Sequence, residues 1–157
     1  MRAVAIPLAI LIAGCQQAPE GTQPVTEVEA LKIVEAAEAD YSSGDTSKIM
    51  SHYADRVVAF DTGRVEPTAD RKVLEGWTGA FVSMQPAGYL VSNRSIQLTG
   101  PDSFVNSGIA RFSVAAGQAR PQVGARFTQV YQRQKDGQFR IVHEHMSLPP
   151  TPPGAIP

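Results

Sequence analysis

The stretch that most limits the fold is Ala125–Ser147, which reads ARFTQVYQRQKDGQFRIVHEHMS. Two alternating segments flank Asp136-Gly137, and an Asp-Gly pair between such arms is a strong short-range signal for a β-hairpin. Side chains alternate along a strand. The second arm therefore places Phe139, Ile141, His143, His145 and Ser147 on one face, and Arg140, Val142, Glu144 and Met146 on the other. Two histidines and a glutamate within three residues, inside an otherwise apolar strand, are the most unusual chemistry of the chain.

Upstream of this hairpin the apolar period is first 3.6 and then 2. Thr26-Glu27-Val28-Glu29 fits a capping box, and Val28, Leu31, Val34, Ala37 and Tyr41 recur at helical spacing until Ser42-Ser43-Gly44. Asp45 caps a short second helix carrying Ile49, Met50 and Tyr53 on one side. Arg56 to Asp61 reads as a buried strand. Thr68 is placed to cap a third helix with a stripe of Val73, Leu74, Trp77, Ala80, Phe81 and Met84, stopped by Pro86 and Gly88. Tyr89–Leu98, Ser103–Ala115, Val123–Gln134 and Gln138–Ser147 then alternate as strands separated by turn residues. Helices first and consecutive strands after imply an α+β domain over 24–148, its helices packed on one face of an antiparallel meander.

The N-terminus reads as an address. Arg2 precedes an apolar run, Ala3 to Ile12, far short of the roughly 20 residues a membrane-spanning helix needs. The run ends in Ile12-Ala13-Gly14-Cys15, and Cys15 is the only cysteine. This resembles a bacterial lipoprotein signal. The resemblance implies cleavage of residues 1–14, lipidation of Cys15 and a tether over 15–23. Gln16 stands where an Asp would favour retention at the inner membrane. The implied location is therefore the cell envelope, at the outer membrane facing the periplasm in a Gram-negative host. A single cysteine excludes an internal disulfide framework. With 14 Lys+Arg against 15 Asp+Glu, a net charge of −1, the chain has no polycationic character, which argues against nucleic acid as a partner. Residues 149–157 are proline-rich and read as an irregular tail.

The order helix, short helix, strand, helix and four long strands resembles the nuclear transport factor 2-like superfamily, including its SnoaL-like and ketosteroid isomerase-like members. The residues that carry the resemblance are Ser43-Gly44-Asp45, His52-Tyr53-Ala54-Asp55 leading into Val57–Asp61, Trp77, Arg126-Phe127-Thr128 and Asp136 through Ser147. The final segment is also similar to the end of the association domain of calcium/calmodulin-dependent kinases. The implied fold is a cone, in which a curved antiparallel sheet wraps three N-terminal helices around a pocket (an α+β roll of the cystatin-like type). Homodimers are the usual assembly.

The resemblance places Asp61 where ketosteroid isomerases carry their catalytic base. The two oxyanion donors of that enzyme fall near Ala37, which has no hydroxyl, and near Arg126, so neither the tyrosine nor the protonated aspartate of that enzyme is present. His143 and His145 share a strand face, as metal ligands can, but Glu144 points the other way and a zinc site wants three or four ligands, so no metal and no cofactor is expected. Arg111 and Arg120 fall near arginines of the kinase association pocket, whose third basic position is Met146 here. Arg126 is suited to clamp a carboxylate. The candidate site is therefore Asp61 and His145 as acid–base residues, with Tyr53, Trp77, Arg111, Arg126 and His143 as ligand contacts. Three readings remain open: a lipid-anchored binder of a small, partly apolar or anionic molecule, an isomerase, hydratase or cyclase of the same fold, and a structural dimer with a vestigial pocket.

Overall fold

Helix α1 spans Glu27–Tyr41 and starts at Thr26, whose hydroxyl accepts from the Glu29 backbone N–H at 3.2 Å. Its inward stripe is Ala30, Val34, Ala37 and Tyr41, whereas Val28 and Leu31, expected on that stripe, are exposed. Small Ala30 and Ala37 let the helix lie close to the sheet, and the bulkier pair is turned outward. The structure, a computed structural model, describes residues 23–149. The signal, Cys15, nearly all of the tether and the tail beyond Pro149 lie outside those residues.

Asp45 caps α2 (Thr46–Ser51), accepting from the N–H groups of Ser47 and Lys48. Strand β1 follows directly, Tyr53–Phe60. Helix α3 spans Arg71–Ser83, and its cap is Asp70, which accepts from Lys72 N at 2.8 Å. Thr68, expected as the cap, instead pairs its backbone N–H and C=O with those of Ala59, both at 2.9 Å, and so ties the connecting loop back onto β1. The Arg71 guanidinium donates to the carbonyls of Met50, Tyr53 and Ala54 at 2.8–3.0 Å. One side chain of α3 thus holds the α2–β1 junction, where the strand's first residue, Tyr53, enters the core.

The remaining strands are β2 (Ala87–Gly100), β3 (Ser103–Ser113), β4 (Gln122–Arg133) and β5 (Phe139–Ser147). The sheet order is β1-β5-β4-β3-β2. β2 to β5 form the expected antiparallel meander, and β1 adds a parallel edge against β5. The concave face and the three helices enclose a core that includes Val34, Ile49, Val57, Leu74, Phe104 and Ile141. This is the α+β class expected from the order of elements and the roll that the family resemblance implies.

Two β-bulges decide which polar residues enter that core. On β5, Ile141 pairs with Tyr131 and His143 with Val130, so Val142 is an extra residue with no partner of its own. An inserted residue reverses the alternation beyond it. Phe139 and Ile141 point inward before the bulge, and Glu144 and Met146 point inward after it. On β2 the register shifts between Ser92 and Ser95, with Asn93 at φ 53°, in the left-handed region. Tyr89 faces inward before that shift, and Arg94 and Ile96 after it.

Candidate functional site

The helices and the concave sheet face leave a cavity of about 540 Å³. One wall is aromatic. Tyr89 stacks on Tyr41 (centroids 4.9 Å apart) and on Phe112 (5.7 Å), and Phe81 meets Tyr41 and Phe112 edge-on. Trp77 of α3 completes the lining toward the mouth, where Arg64 lies over its ring at 5.5 Å. The rim is formed by the exposed loop after β1, beginning with the half-buried Asp61.

The cavity ends on a buried carboxylate. Glu144 accepts from Tyr53 Oη at 3.0 and 3.1 Å and from Gln129 Nε2 at 2.7 Å. Gln129 Nε2 also donates to Tyr41 Oη at 3.1 Å, and the two tyrosine oxygens lie 3.2 Å apart. Behind this layer, Gln129 Oε1 accepts from Asn106 Nδ2 (3.2 Å) and Tyr131 Oη (3.3 Å). Asn106 Oδ1 accepts from Arg94, which is held bidentately by Glu38 at 2.6 Å. A guanidinium has no acceptor, so Arg94 fixes which end of the Asn106 amide faces it. That orientation fixes Gln129 in turn, and the chain of hydrogen bonds is directed toward Glu144.

Burial lifts the Glu144 carboxyl above its ordinary range. The bonds from Gln129 and Tyr53 pull the other way, and the Asp61 charge adds to the rise. Desolvation also raises the hydroxyl pKa values of Tyr41, Tyr53 and Tyr131, which therefore remain neutral donors. The site combines a carboxyl of increased proton affinity, neutral hydroxyls beside it and an apolar wall. It can hold a ligand's polar end or accept a proton.

The residues singled out in the sequence separate into two groups. Tyr53, Trp77 and Asp61 line the cavity, with Tyr53 at its base and Asp61 at its rim, where the Asp61 carboxylate accepts from Gly63 N at 2.8 Å. Arg111, Arg126, His143 and His145 do not line it, because alternation puts them on the opposite sheet face. Arg111 donates to Ser92 Oγ and Arg126 to the Leu148 carbonyl. His143 and His145 flank the Phe60 ring at 5.8 and 5.4 Å on that outer face, and His145 borders a smaller depression beside Asp61 and Arg64. The β5 bulge is the reason: the histidines share a face as expected, but the glutamate between them faces the core. Among the described residues no three His, Cys, Asp or Glu side chains are grouped as metal ligands.

Gln129, Asn106 and Arg94 carry no role in the sequence reading, and Glu144 stands there as part of the unusual strand chemistry but outside the candidate site. Asn106 and Gln129 did carry a signal. Each occupies an inward position of its strand, two residues from Phe104 and Tyr131, where an apolar residue is the norm. Tyr41 supplies a hydroxyl one helical turn beyond Ala37.

The curved sheet closed by helices is the α+β roll of the nuclear transport factor 2-like class. A family model described as the SnoaL-like domain matches residues 31–152, and the chain belongs to that family. Among solved structures, a putative calcium/calmodulin-dependent protein kinase II association domain from Xanthomonas campestris is similar, with TM-score 0.72 and 26 % identity over 80 % of this chain and 90 % of that one. An NTF2-like protein of unknown function from Pseudomonas putida gives TM-score 0.68 at 22 % identity, over 81 % and 89 % of the two chains. A putative ketosteroid isomerase from Shewanella frigidimarina gives 0.61 at 18 %, over 74 % and 92 %. No curated protein matches the chain.

Proposed function

We propose that this chain is a lipid-anchored cell-envelope protein that holds one small, largely apolar molecule in the cone, with the molecule's polar end on Glu144. The observation that carries this reading is the buried carboxylate at the end of an aromatic-walled cavity of about 540 Å³, within the size range of small-molecule sites. The anionic ligand that the arginines suggested loses its support, since Arg111 and Arg126 face away from the cavity. Anchoring rests on Cys15 and the apolar run before it. Its test is fractionation: Cys15→Ser should move the protein out of the membrane fraction, and retention there would refute lipidation. The outer sheet face carrying Phe60, His143 and His145 is the surface proposed for a homodimer, in keeping with an association domain among the similar structures.

Native mass spectrometry of Gln16–Pro157, purified without harsh steps, tests the pocket. Among the described residues the hydrophobic core runs from Val25 to Ile141, all of it within this segment. A protein carrying a small added mass, lost in Glu144→Gln, is expected. An empty cavity in every preparation would shift the reading to a structural dimer.

The second reading is an enzyme. Similar structures include a putative dehydratase from Streptomyces avermitilis and the putative ketosteroid isomerase. What favours it here is a carboxyl of raised proton affinity beside two hydroxyls, the pairing general-base chemistry uses. Glu144 takes the role first sought in Asp61 and His145. If the reading holds, the pocket ligand incubated in D2O exchanges a carbon-bound proton, and Glu144→Gln abolishes the exchange.

A further inference from the structure

Among the described residues, Glu144 has no charged partner in the cavity. The ion pairs among the described residues are His52–Asp40, Arg71–Asp55, Arg94–Glu38, Arg133–Asp102 and Arg140–Asp136, and none includes it. Arg94 reaches it only through Asn106 and Gln129, and its charge is already matched by Glu38. The carboxylate receives donors from Tyr53 and Gln129, whereas its two oxygens offer about four acceptor sites. The other acid of the lining, Asp61, has the same sign, and the lining's guanidinium, Arg64, is exposed at the rim over Trp77.

We propose that the cone's ligand is an amine, bound as its ammonium with the N–H groups on Glu144 and the organic part against the wall of Tyr41, Tyr89, Phe81 and Phe112. This rests on the pocket reading above and names its ligand class. An ammonium supplies the missing donors and the missing positive charge together. Aromatic faces attract cations as well as burying hydrocarbon, and this attraction grows where water is excluded. An anion would meet two carboxylates and no buried cation. A neutral alcohol would supply one donor and leave the charge uncompensated wherever the carboxyl is ionised.

The chain's only tryptophan lines the cavity, so its fluorescence reports binding directly. Gln16–Pro157 is titrated with three probes of matched shape: 2-phenylethylammonium, 2-phenylethanol and phenylacetate. The ammonium should bind at least about tenfold more tightly than the alcohol, with phenylacetate weakest, a size in keeping with one desolvated charge-assisted contact. Its affinity should also rise with pH as Glu144 loses its proton. The groups facing that carboxyl are Tyr41 from α1, Tyr53 and Asp61 from β1 and its end, Tyr89 from β2 and Tyr131 from β4. All these tyrosines keep their protons across the range used. Glu144→Gln should bring ammonium and alcohol to within about twofold of each other. Should that variant fail to fold, the wild-type pH profile and probe ranking decide. Equal or tighter binding of the alcohol or phenylacetate overturns the amine assignment and leaves the pocket standing. No binding by any probe at millimolar concentration overturns both.

Discussion

Replacing Glu144 by Gln and by Leu separates the charge of this buried carboxylate from its part as a hydrogen-bond acceptor. Tyr53 O–H and one Gln129 N–H both end on this carboxylate inside the core. Glu144→Leu leaves a buried Gln129 N–H without an acceptor and Tyr53 with only Tyr41 Oη, 3.2 Å away, so a loss of at least about 1–3 kcal/mol is expected. Glu144→Gln keeps an acceptor oxygen and removes the charge. The sign of its pH dependence follows from the raised pKa. The folded carboxyl holds its proton more tightly than the unfolded one, so ionisation disfavours the fold. This contribution is fully present below the unfolded carboxylate value and is lost as pH rises through the folded one. Each pH unit across that window is about 1.4 kcal/mol. The Gln variant has no proton to lose there, so its stability relative to wild type should climb with pH. Urea unfolding followed by Trp77 fluorescence, at several values between about pH 4 and pH 8, measures all three proteins. Identical pH slopes in wild type and Glu144→Gln, or a Leu variant as stable as the Gln variant, would refute the reasoning.

Other substitutions test the rest of the arrangement. Arg94→Met removes the bidentate pair with Glu38 and the donor that orients Asn106, and should cost about 2–3 kcal/mol by chemical denaturation; a change below about 0.5 kcal/mol would show that the amide chain holds its direction without it. Gly108→Ala puts a methyl 2.9 Å from Val91 Cγ1, 3.1 Å from the Ser92 carbonyl and 3.3 Å from Phe127 Cε1, and about 1–3 kcal/mol of destabilisation is expected because the carbonyl belongs to a paired strand. His143→Ala with His145→Ala should leave ligand affinity within about twofold while weakening self-association in analytical ultracentrifugation. A large loss of affinity would place the histidines in the binding site after all.

Local chemistry was legible in the chain. Thr26 and Asp45 cap their helices as read, because a side-chain oxygen two or three residues from an orphan N–H needs nothing distant to act. The change of period from 3.6 to 2 located the helices and the four meander strands within a few residues, and Asp136-Gly137 turned where it should, with Gly137 at φ 82°. The substitution of Asp70 for Thr68 as the third cap shows where such reading fails. Both residues can cap, and the pairing of Thr68 with Ala59, nine residues upstream, determined which was free to do so.

The sequence by itself determined the order of elements and the α+β class, since these follow from periodicity, capping and turn chemistry over short spans; the pocket-forming roll came only through the family resemblance. Tertiary structure alone decided which face of β5 meets the core. Alternation is strict only within an unbroken strand, and a single unpaired residue, Val142, exchanges the two faces beyond it. Beyond that residue β5 keeps its register both with β4 and with β1, whose residues lie some ninety positions earlier and outside the hairpin. The histidines that drew attention in the chain therefore lie outside, and the glutamate between them became the buried end of the cavity.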